Sequence, residues 1–209
     1  MKLWSDYYPW VKPIVASCPD PIVDRALCDA AIEFCEMTQA FVENQTFKTK
    51  PGVSEYDTYT DSGLPAMVTA VTMANNRPLH PIYIDALTNA YGNSWQTVTG
   101  QPWYFLGFNE DSLVLYPTPI EVESGVMTLS SRPKRSATGW DPRLFERYGE
   151  IIAHGALGRL LNQTGTPWEN RDAGAQRVVA FKQGINKVRA KTQAAYTTAT
   201  VYPGNNTFW

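Results

Sequence analysis

The sequence predicts an α+β fold, in which an N-terminal helix packs with two C-terminal helices as a helical bundle and an antiparallel β-rich domain is inserted between them. Helical periodicity near both ends predicts the helices, and a central region rich in Thr, Val, Tyr and Phe predicts the strands. A length of 209 residues with 44% hydrophobic residues suffices for a buried core. We therefore expect the bundle over 1–39 and 136–195, the inserted β-domain over 40–135 and an extended C-terminal tail over 196–209.

The first helix follows an aromatic, proline-containing segment. Asp20 is a suitable N-cap and Pro21 is favoured at the first helical position. Apolar residues then recur at helical spacing over 22–35, which predicts a wide buried face. Acidic residues mark the opposite, solvated side: Asp24, Asp29, Glu33 and Glu36.

Six short segments of the central region have strand composition and are bounded by turn residues. The turn Asn109-Glu110-Asp111 separates two of them and predicts a hairpin. One helix is predicted inside this region, over Ile82–Tyr91, and Gly92 ends it. The predicted strands are Thr46–Lys50, Glu55–Thr60, Ala66–Met73, Trp103–Phe108, Ser112–Tyr116 and Val126–Ser130.

A second long amphipathic helix begins at Asp141-Pro142 and runs to about Asn162. Three glycines interrupt it, although each costs up to about 1 kcal/mol relative to alanine inside a helix. They are Gly149, Gly155 and Gly158. We expect them to allow close approach to the backbone of another helix.

The last helix is predicted to begin at Thr166-Pro167-Trp168-Glu169, where Thr at the N-cap and Glu at the third helical position form a capping box. Apolar and small residues then recur at steps of four and three to about Ala195, which predicts a stripe packed on the bundle. Four cations lie off this stripe: Lys182, Lys187, Arg189 and Lys191.

The net charge of −2 conceals an asymmetry along the chain. Residues 1–38 carry a net charge of −3, residues 39–131 of −6 and residues 132–209 of +7. An acidic body with a basic C-terminal part can associate head to tail with copies of itself, or its basic part can meet an acidic partner. The alternative interpretation is a solvated helix face that has no partner.

The sequence lacks the patterns on which catalysis and metal binding usually depend. Its three cysteines contain no CxxC pair, and His80 and His154 have no second ligand at metal-binding spacing. P-loop, dinucleotide-binding and Gly-x-Ser-x-Gly motifs are absent. We therefore expect no enzymatic activity, no cofactor and no metal; a hidden glycosidase carboxylate pair in the β region is the remaining catalytic alternative.

The N-terminal residues lack the apolar core of a signal peptide, and no apolar run reaches the length of a membrane span. We expect a protein that is made in a reducing cytoplasm and has no membrane contact.

Two binding functions stay open at the level of residues. Arg132, Lys134 and Arg135 form a basic cluster suited to nonspecific contact with DNA phosphates, although the negative total charge argues against a sequence-specific binder. Alternatively, aromatic residues of the β insertion would stack on sugars in a carbohydrate- or receptor-binding module, provided that they face outwards. These aromatic residues are Trp95, Trp103, Tyr104 and Tyr116.

Four segments occur in a characteristic order and spacing: Cys18-Pro-Asp-Pro with Asp29–Cys35, Leu64-Pro-Ala with Arg77-Pro-Leu79, Thr99–Phe105 with Leu113–Pro119, and Gly165-Thr-Pro-Trp168. Through them the chain resembles the head-to-tail adaptor proteins of short-tailed double-stranded DNA bacteriophages, also called tail tubular or head completion proteins. The resemblance spans most of the chain, and none of the segments is a catalytic signature.

The resemblance implies a structural protein of the virion, at the junction of head and tail. Such adaptors form a ring of about twelve copies below the portal protein, extend the DNA channel and provide a platform for tail or nozzle proteins. The residues expected at the ring interface or in the channel are Arg132, Lys134, Arg135, Lys182, Lys187, Arg189 and Lys191.

The resemblance also implies that the C-terminal segment reaches the portal. Pro203-Gly204 would break a helix there, so we expect an extended arm with aromatic anchors. The anchors are Tyr196, Tyr202, Phe208 and Trp209. A terminus without a function is the alternative.

Overall fold

The computed structural model describes residues 1–61, 63–109 and 111–193, and within these ranges the chain is a mixed α+β protein with five α-helices. The predicted order of elements is observed, since the strands of the two larger sheets all lie between the second and the fourth helix. The helices are α1 (Tyr8–Val11), α2 (Asp20–Thr38), α3 (Ile84–Tyr91), α4 (Pro142–Leu161) and α5 (Arg171–Gln193).

All six predicted strands are present, with shifts at their ends. The first begins at Val42 rather than at Thr46, and the second ends at Asp57 rather than at Thr60. The strands are β1 (Lys2–Leu3), β2 (Val42–Lys48), β3 (Glu55–Asp57), β4 (Leu64–Met73), β5 (Arg77–Pro78), β6 (His80–Pro81), β7 (Thr99–Gly100), β8 (Tyr104–Asn109), β9 (Ser112–Tyr116), β10 (Thr118–Pro119), β11 (Ser124–Arg132) and β12 (Gly139–Trp140).

The longer strands form two four-stranded sheets. The first has the order β2-β11-β4-β5 and is antiparallel throughout. The second has the order β3-β9-β8-β6; it contains the predicted β8–β9 hairpin, while β6 runs parallel to β8. The two sheets share one cluster of buried side chains: Val71, Met73, Leu79, Phe105, Leu113, Leu115, Met127 and Leu129.

Strand β9 of the second sheet is buried on both faces. Leu113 and Leu115 of β9 point into the cluster between the sheets, whereas Val114 and Tyr116 point into a separate cluster with Leu87 of α3. Because successive strand residues point to opposite faces, β9 needs an apolar residue at nearly every position.

Helices α2, α4 and α5 share a third hydrophobic cluster with the N-terminal segment. Trp4 and Tyr7 are buried there, and Trp4 Nε1 donates a hydrogen bond to the carbonyl of Ala137. The Tyr7 ring meets the Phe145 ring of α4 edge to face, with centroids 5.1 Å apart. The aromatic N-terminal segment therefore belongs to the helical core.

Two glycines of α4 lie at close contacts between helices, as the sequence predicts. A Cβ atom at Gly155 would lie 2.9 Å from both the Ala30 Cβ of α2 and the Phe181 ring of α5. A Cβ atom at Gly158 would lie 2.8 Å from Val178 Cγ2 and 3.2 Å from the backbone nitrogen of Val178. Here α4 contacts α5 so closely that no side chain fits.

The predicted start of the last helix is wrong, because α5 begins at Arg171 and Asn170 caps it. The Asn170 Oδ1 atom accepts a hydrogen bond from Ala173 N at 3.1 Å. The Glu169 carboxylate instead accepts from Gly165 N at 2.8 Å, and the Thr166 hydroxyl donates to the carbonyl of Gln163. These side chains close the turn between α4 and α5, so none of the predicted capping-box bonds form.

The other two N-cap predictions differ in outcome. At α4, Asp141 is the N-cap and its carboxylate accepts from Arg143 N at 2.8 Å, as predicted. At α2, Pro19 occupies the N-cap position, and the Asp20 carboxylate lies 2.5 Å from Lys12 Nζ. The Asp20 carboxylate therefore forms an ion pair with Lys12 instead of the predicted hydrogen bond that would cap the helix.

We predict that Gly158→Val lowers the free energy of unfolding by about 2–3 kcal/mol, because its side chain would overlap Val178 in a packed core. Denaturant unfolding measures the effect. The matched control is Ala175→Val on the exposed side of α5, which should change stability by less than about 0.5 kcal/mol. Equal effects of the two substitutions would contradict the close contact.

Candidate interaction surfaces

The basic segment that starts at the end of β11 and leads towards α4 is attached to α2. Arg132 Nε lies 3.2 Å from the Glu36 carboxylate, and the Arg132 side chain is only 13% exposed. Arg135 Nη1 lies 2.9 Å from the Asp29 carboxylate, while Lys134 is exposed. Two members of the predicted basic cluster therefore bind α2.

The acidic side of α2 is engaged within the chain. Besides Asp29 and Glu36, Glu33 pairs with Arg159 of α4, and Asp24 accepts a hydrogen bond from the Tyr8 hydroxyl at 2.9 Å. Exposed ion pairs contribute only about 0–1 kcal/mol each. These ion pairs matter here for the surface charge, because arginines of the same chain neutralise most of the negative charge of α2.

The four predicted cations of α5 have no such partners. Lys182, Lys187, Arg189 and Lys191 are all exposed, and none forms an ion pair with another residue in the described ranges. They flank the outward face of α5, opposite the buried stripe that the sequence predicts. That stripe is confirmed at Gly174, Phe181, Ile185 and Val188.

Three acidic side chains without ion-pair partners in the described part of the chain lie at one edge of the second sheet. Glu55 and Asp57 are exposed on the edge strand β3, and Asp111 follows in the turn before β9. The carbonyl of Asp111 accepts a hydrogen bond from Thr58 N at 2.9 Å, which keeps this turn beside the end of β3. The acidic character of residues 39–131 is therefore concentrated in part at this edge.

The four aromatic residues of the carbohydrate interpretation divide into two pairs. Trp95 and Tyr116 are buried in the cluster beneath α3, so they cannot form a sugar platform. Trp103 is 49% exposed and Tyr104 is also exposed. The guanidinium of Arg77 lies 5.3 Å above the Trp103 ring and covers one of its faces.

Neither histidine has the surroundings of a catalytic base. His80 is exposed, on β6. His154 lies between α4 and α5, where Arg177 Nη1 is 3.0 Å from its Nδ1 atom. Burial, with the adjacent Arg177 charge, lowers the pKa of His154 below its usual range. Because arginine can only donate, the contact requires an unprotonated Nδ1.

All three cysteines are buried thiols. Burial raises the pKa of Cys28 to about 11, and it raises the pKa of Cys18 and of Cys35 as well. A thiol with a raised pKa carries little thiolate at neutral pH and is a poor nucleophile. Within the described ranges, no group of three or more His, Cys, Asp or Glu side chains could hold a metal ion.

The predicted portal anchors lie outside the described residues. This applies to Tyr196, Tyr202, Phe208 and Trp209, so their role stays a prediction. None of the described helices is both long and apolar enough to span a lipid bilayer.

The described surfaces carry two separated charged regions, the cations of α5 and the carboxylates at the β3 edge. The chain belongs to the SU10 adaptor protein family, whose family model matches residues 9–204. No protein with a curated description matches the chain. The family agrees with the resemblance to phage head-to-tail adaptors, and it gives the protein a structural adaptor role as a phage virion component.

We predict that lowering the pH from about 7.5 to 5 destabilises the protein partly through His154. Its pKa in the folded state lies below the unfolded value of about 6.5, so the unfolded chain binds the proton more readily and stability falls as pH drops through this window. Thermal melting of the protein and of His154→Gln checks this expectation. The variant should lose less stability over the same pH range, and parallel losses would contradict the assignment.

Proposed function

We propose that this protein is the head-to-tail adaptor of a phage, forming a ring of about twelve copies below the portal that extends the DNA channel and carries the tail or nozzle proteins. The family match carries the proposal, because it extends over residues 9–204 and so includes nearly all described elements. In this proposal 1–39 and 136–195 form the helical bundle, 40–135 form the inserted β-domain and 196–209 form the docking tail.

Neighbouring copies would meet through the cations of α5 on one copy and the acidic β3 edge on the next. Both groups lack ion-pair partners among the described residues of their own chain, and they lie on different elements. A contact between two different surfaces must either close into a ring or extend into a filament. Attraction between opposite charges would orient the copies as they approach.

The four cations lie on two flanks of α5, so they could contact two different partners. Residues separated by four or seven positions share one side of a helix, so Lys182 and Arg189 form one flank, and Lys187 and Lys191 form the other. One flank can meet the neighbouring copy while the other faces the channel. Contact with DNA phosphates there would be nonspecific and would weaken with salt. Arg132 and Arg135 would contribute chiefly by holding their segment on α2, whereas Lys134 stays available.

The tail would dock on the portal as an extended arm. Its aromatic residues Tyr196, Tyr202, Phe208 and Trp209 suit anchoring in pockets of a partner, where large aromatic side chains dominate binding energies. Such an arm would attach each copy to the portal in addition to the charged contact between neighbours.

We predict that Lys187→Glu with Lys191→Glu weakens association of the adaptor with itself at least tenfold, because both ends of the contact would then be acidic. Sedimentation velocity and native mass spectrometry at low salt measure the association. Glu55→Lys with Asp57→Lys, added to the same chain, should restore it. The control Arg25→Glu reverses an exposed charge on α2, away from α5 and β3, and should change association little. Unaltered self-association of the doubly reversed α5 variant would refute this interface.

We predict that Phe208→Ala with Trp209→Ala weakens binding to purified portal rings at least tenfold, the effect expected when aromatic anchors are truncated. Surface-immobilised portal and soluble adaptor variants give the affinity. Asn205→Ala with Asn206→Ala alters the same arm without removing an anchor and should bind normally. Equal affinities of all these chains would exclude the aromatic arm as the attachment to the portal.

A further inference from the structure

An apolar groove opens between the two sheets and has a volume of about 760 Å³. Its walls come from β4, from the segment that leads into α3, and from β8. Exposed apolar side chains line it: Met67 is 52% exposed and Tyr83 is 86% exposed. Asp85 is the charged residue among its lining. An exposed apolar concavity of this kind is typical of a binding site.

One wall of the groove is an unpaired strand edge. Strand β4 pairs with β11 along its length, but β5 pairs only with Thr72 and Met73 on the other side. Over 64–70 the outer edge of β4 therefore has no strand partner in the described ranges. Free backbone groups on an edge beside an apolar groove can accept an extended segment as an added strand.

The chain contains a segment with the chemistry that such a site would accept. Residues 196–202 read Tyr-Thr-Thr-Ala-Thr-Val-Tyr, a run of β-branched and aromatic residues. The segment equals the unpaired edge 64–70 in length, and no residue of 194–209 has a charged side chain. As a strand, it would place Ala199 and Val201 on one face and Tyr196 and Tyr202 on the other.

We propose that residues 196–202 of one copy bind as an added strand to the β4 edge of a neighbouring copy, with Ala199 and Val201 in the apolar groove. The inference rests on the proposed ring, because a contact between α5 and the β3 edge brings the start of the tail to the neighbour's sheets. In that sheet β9 separates β3 from the groove wall β8, so β8 lies about 10 Å from the β3 edge, a distance that three extended residues can span. Tyr196 and Tyr202 face away from the groove and stay free for the portal.

Disulfide trapping with two full-length variants, each carrying one added cysteine, tests this arrangement. Met67→Cys places a thiol in the groove and Ala199→Cys places one in the tail, so a disulfide formed in their mixture joins two different chains. The native cysteines are buried, so we expect them not to form disulfides in the folded protein. We expect the mixed dimer to be at least fivefold more abundant than with Val179→Cys, an equally exposed position on α5. Adding Val201→Asp to the tail variant should reduce trapping at least threefold, since it puts a charge against the apolar groove.

Several outcomes would overturn the proposal: no mixed dimer, equal trapping at the Val179 control, or unchanged trapping with Val201→Asp. A chain carrying both Met67→Cys and Ala199→Cys that closes only within itself would show that the tail occupies its own groove. The proposed adaptor function is tested separately. Phe208→Ala with Trp209→Ala should leave disulfide trapping unchanged. Loss of portal binding can therefore be distinguished from loss of tail binding to the neighbour's groove.

Discussion

The contact on which the helical part depends is the approach of α2 and α5 to two of the three glycines of α4, Gly155 and Gly158. At Gly155 the space for a side chain is taken by Ala30 and Phe181, and at Gly158 it is taken by Val178. Glycine inside a helix costs up to about 1 kcal/mol, and here the loss is offset by close packing of buried side chains. The same approach places Arg159 of α4 beside Glu33 of α2.

This packing decides which charges stay available to a partner. Arginines from α4 and from the segment before it meet the carboxylates of α2, so the acidic helix is largely compensated inside the molecule. The cations of α5 face the other way and have no ion-pair partner in the described ranges. Carboxylates without ion-pair partners among the described residues include those at the β3 edge. In the proposed ring, this separation of charge would let the α5 cations of one copy meet the β3 carboxylates of the next.

The predictions that failed concern local choices between competing partners. Thr166 and Glu169 satisfy the pattern of a capping box, yet Glu169 bonds to Gly165 and Asn170 caps the helix. Asp20 satisfies the pattern of an N-cap, yet Lys12 takes its carboxylate. In both cases another group that is close in the folded protein binds the side chain, and the spacing of residues in the sequence does not predict that contact. Similarly, composition marks Trp95 and Trp103 alike, but only the position of α3 explains why Trp95 is buried.

The sequence by itself determined the element order, the apolar stripes of the long helices, the β8–β9 hairpin and the absence of familiar catalytic motifs. These features depend on periodicity and on turn residues, which are local along the chain. Only the tertiary structure decided that the basic segment starting at the end of β11 binds α2, that β9 is buried on both faces and that β4 has an edge beside a groove with no strand partner among the described residues. Each of these depends on residues that are distant in sequence and meet only when the helices and sheets pack together.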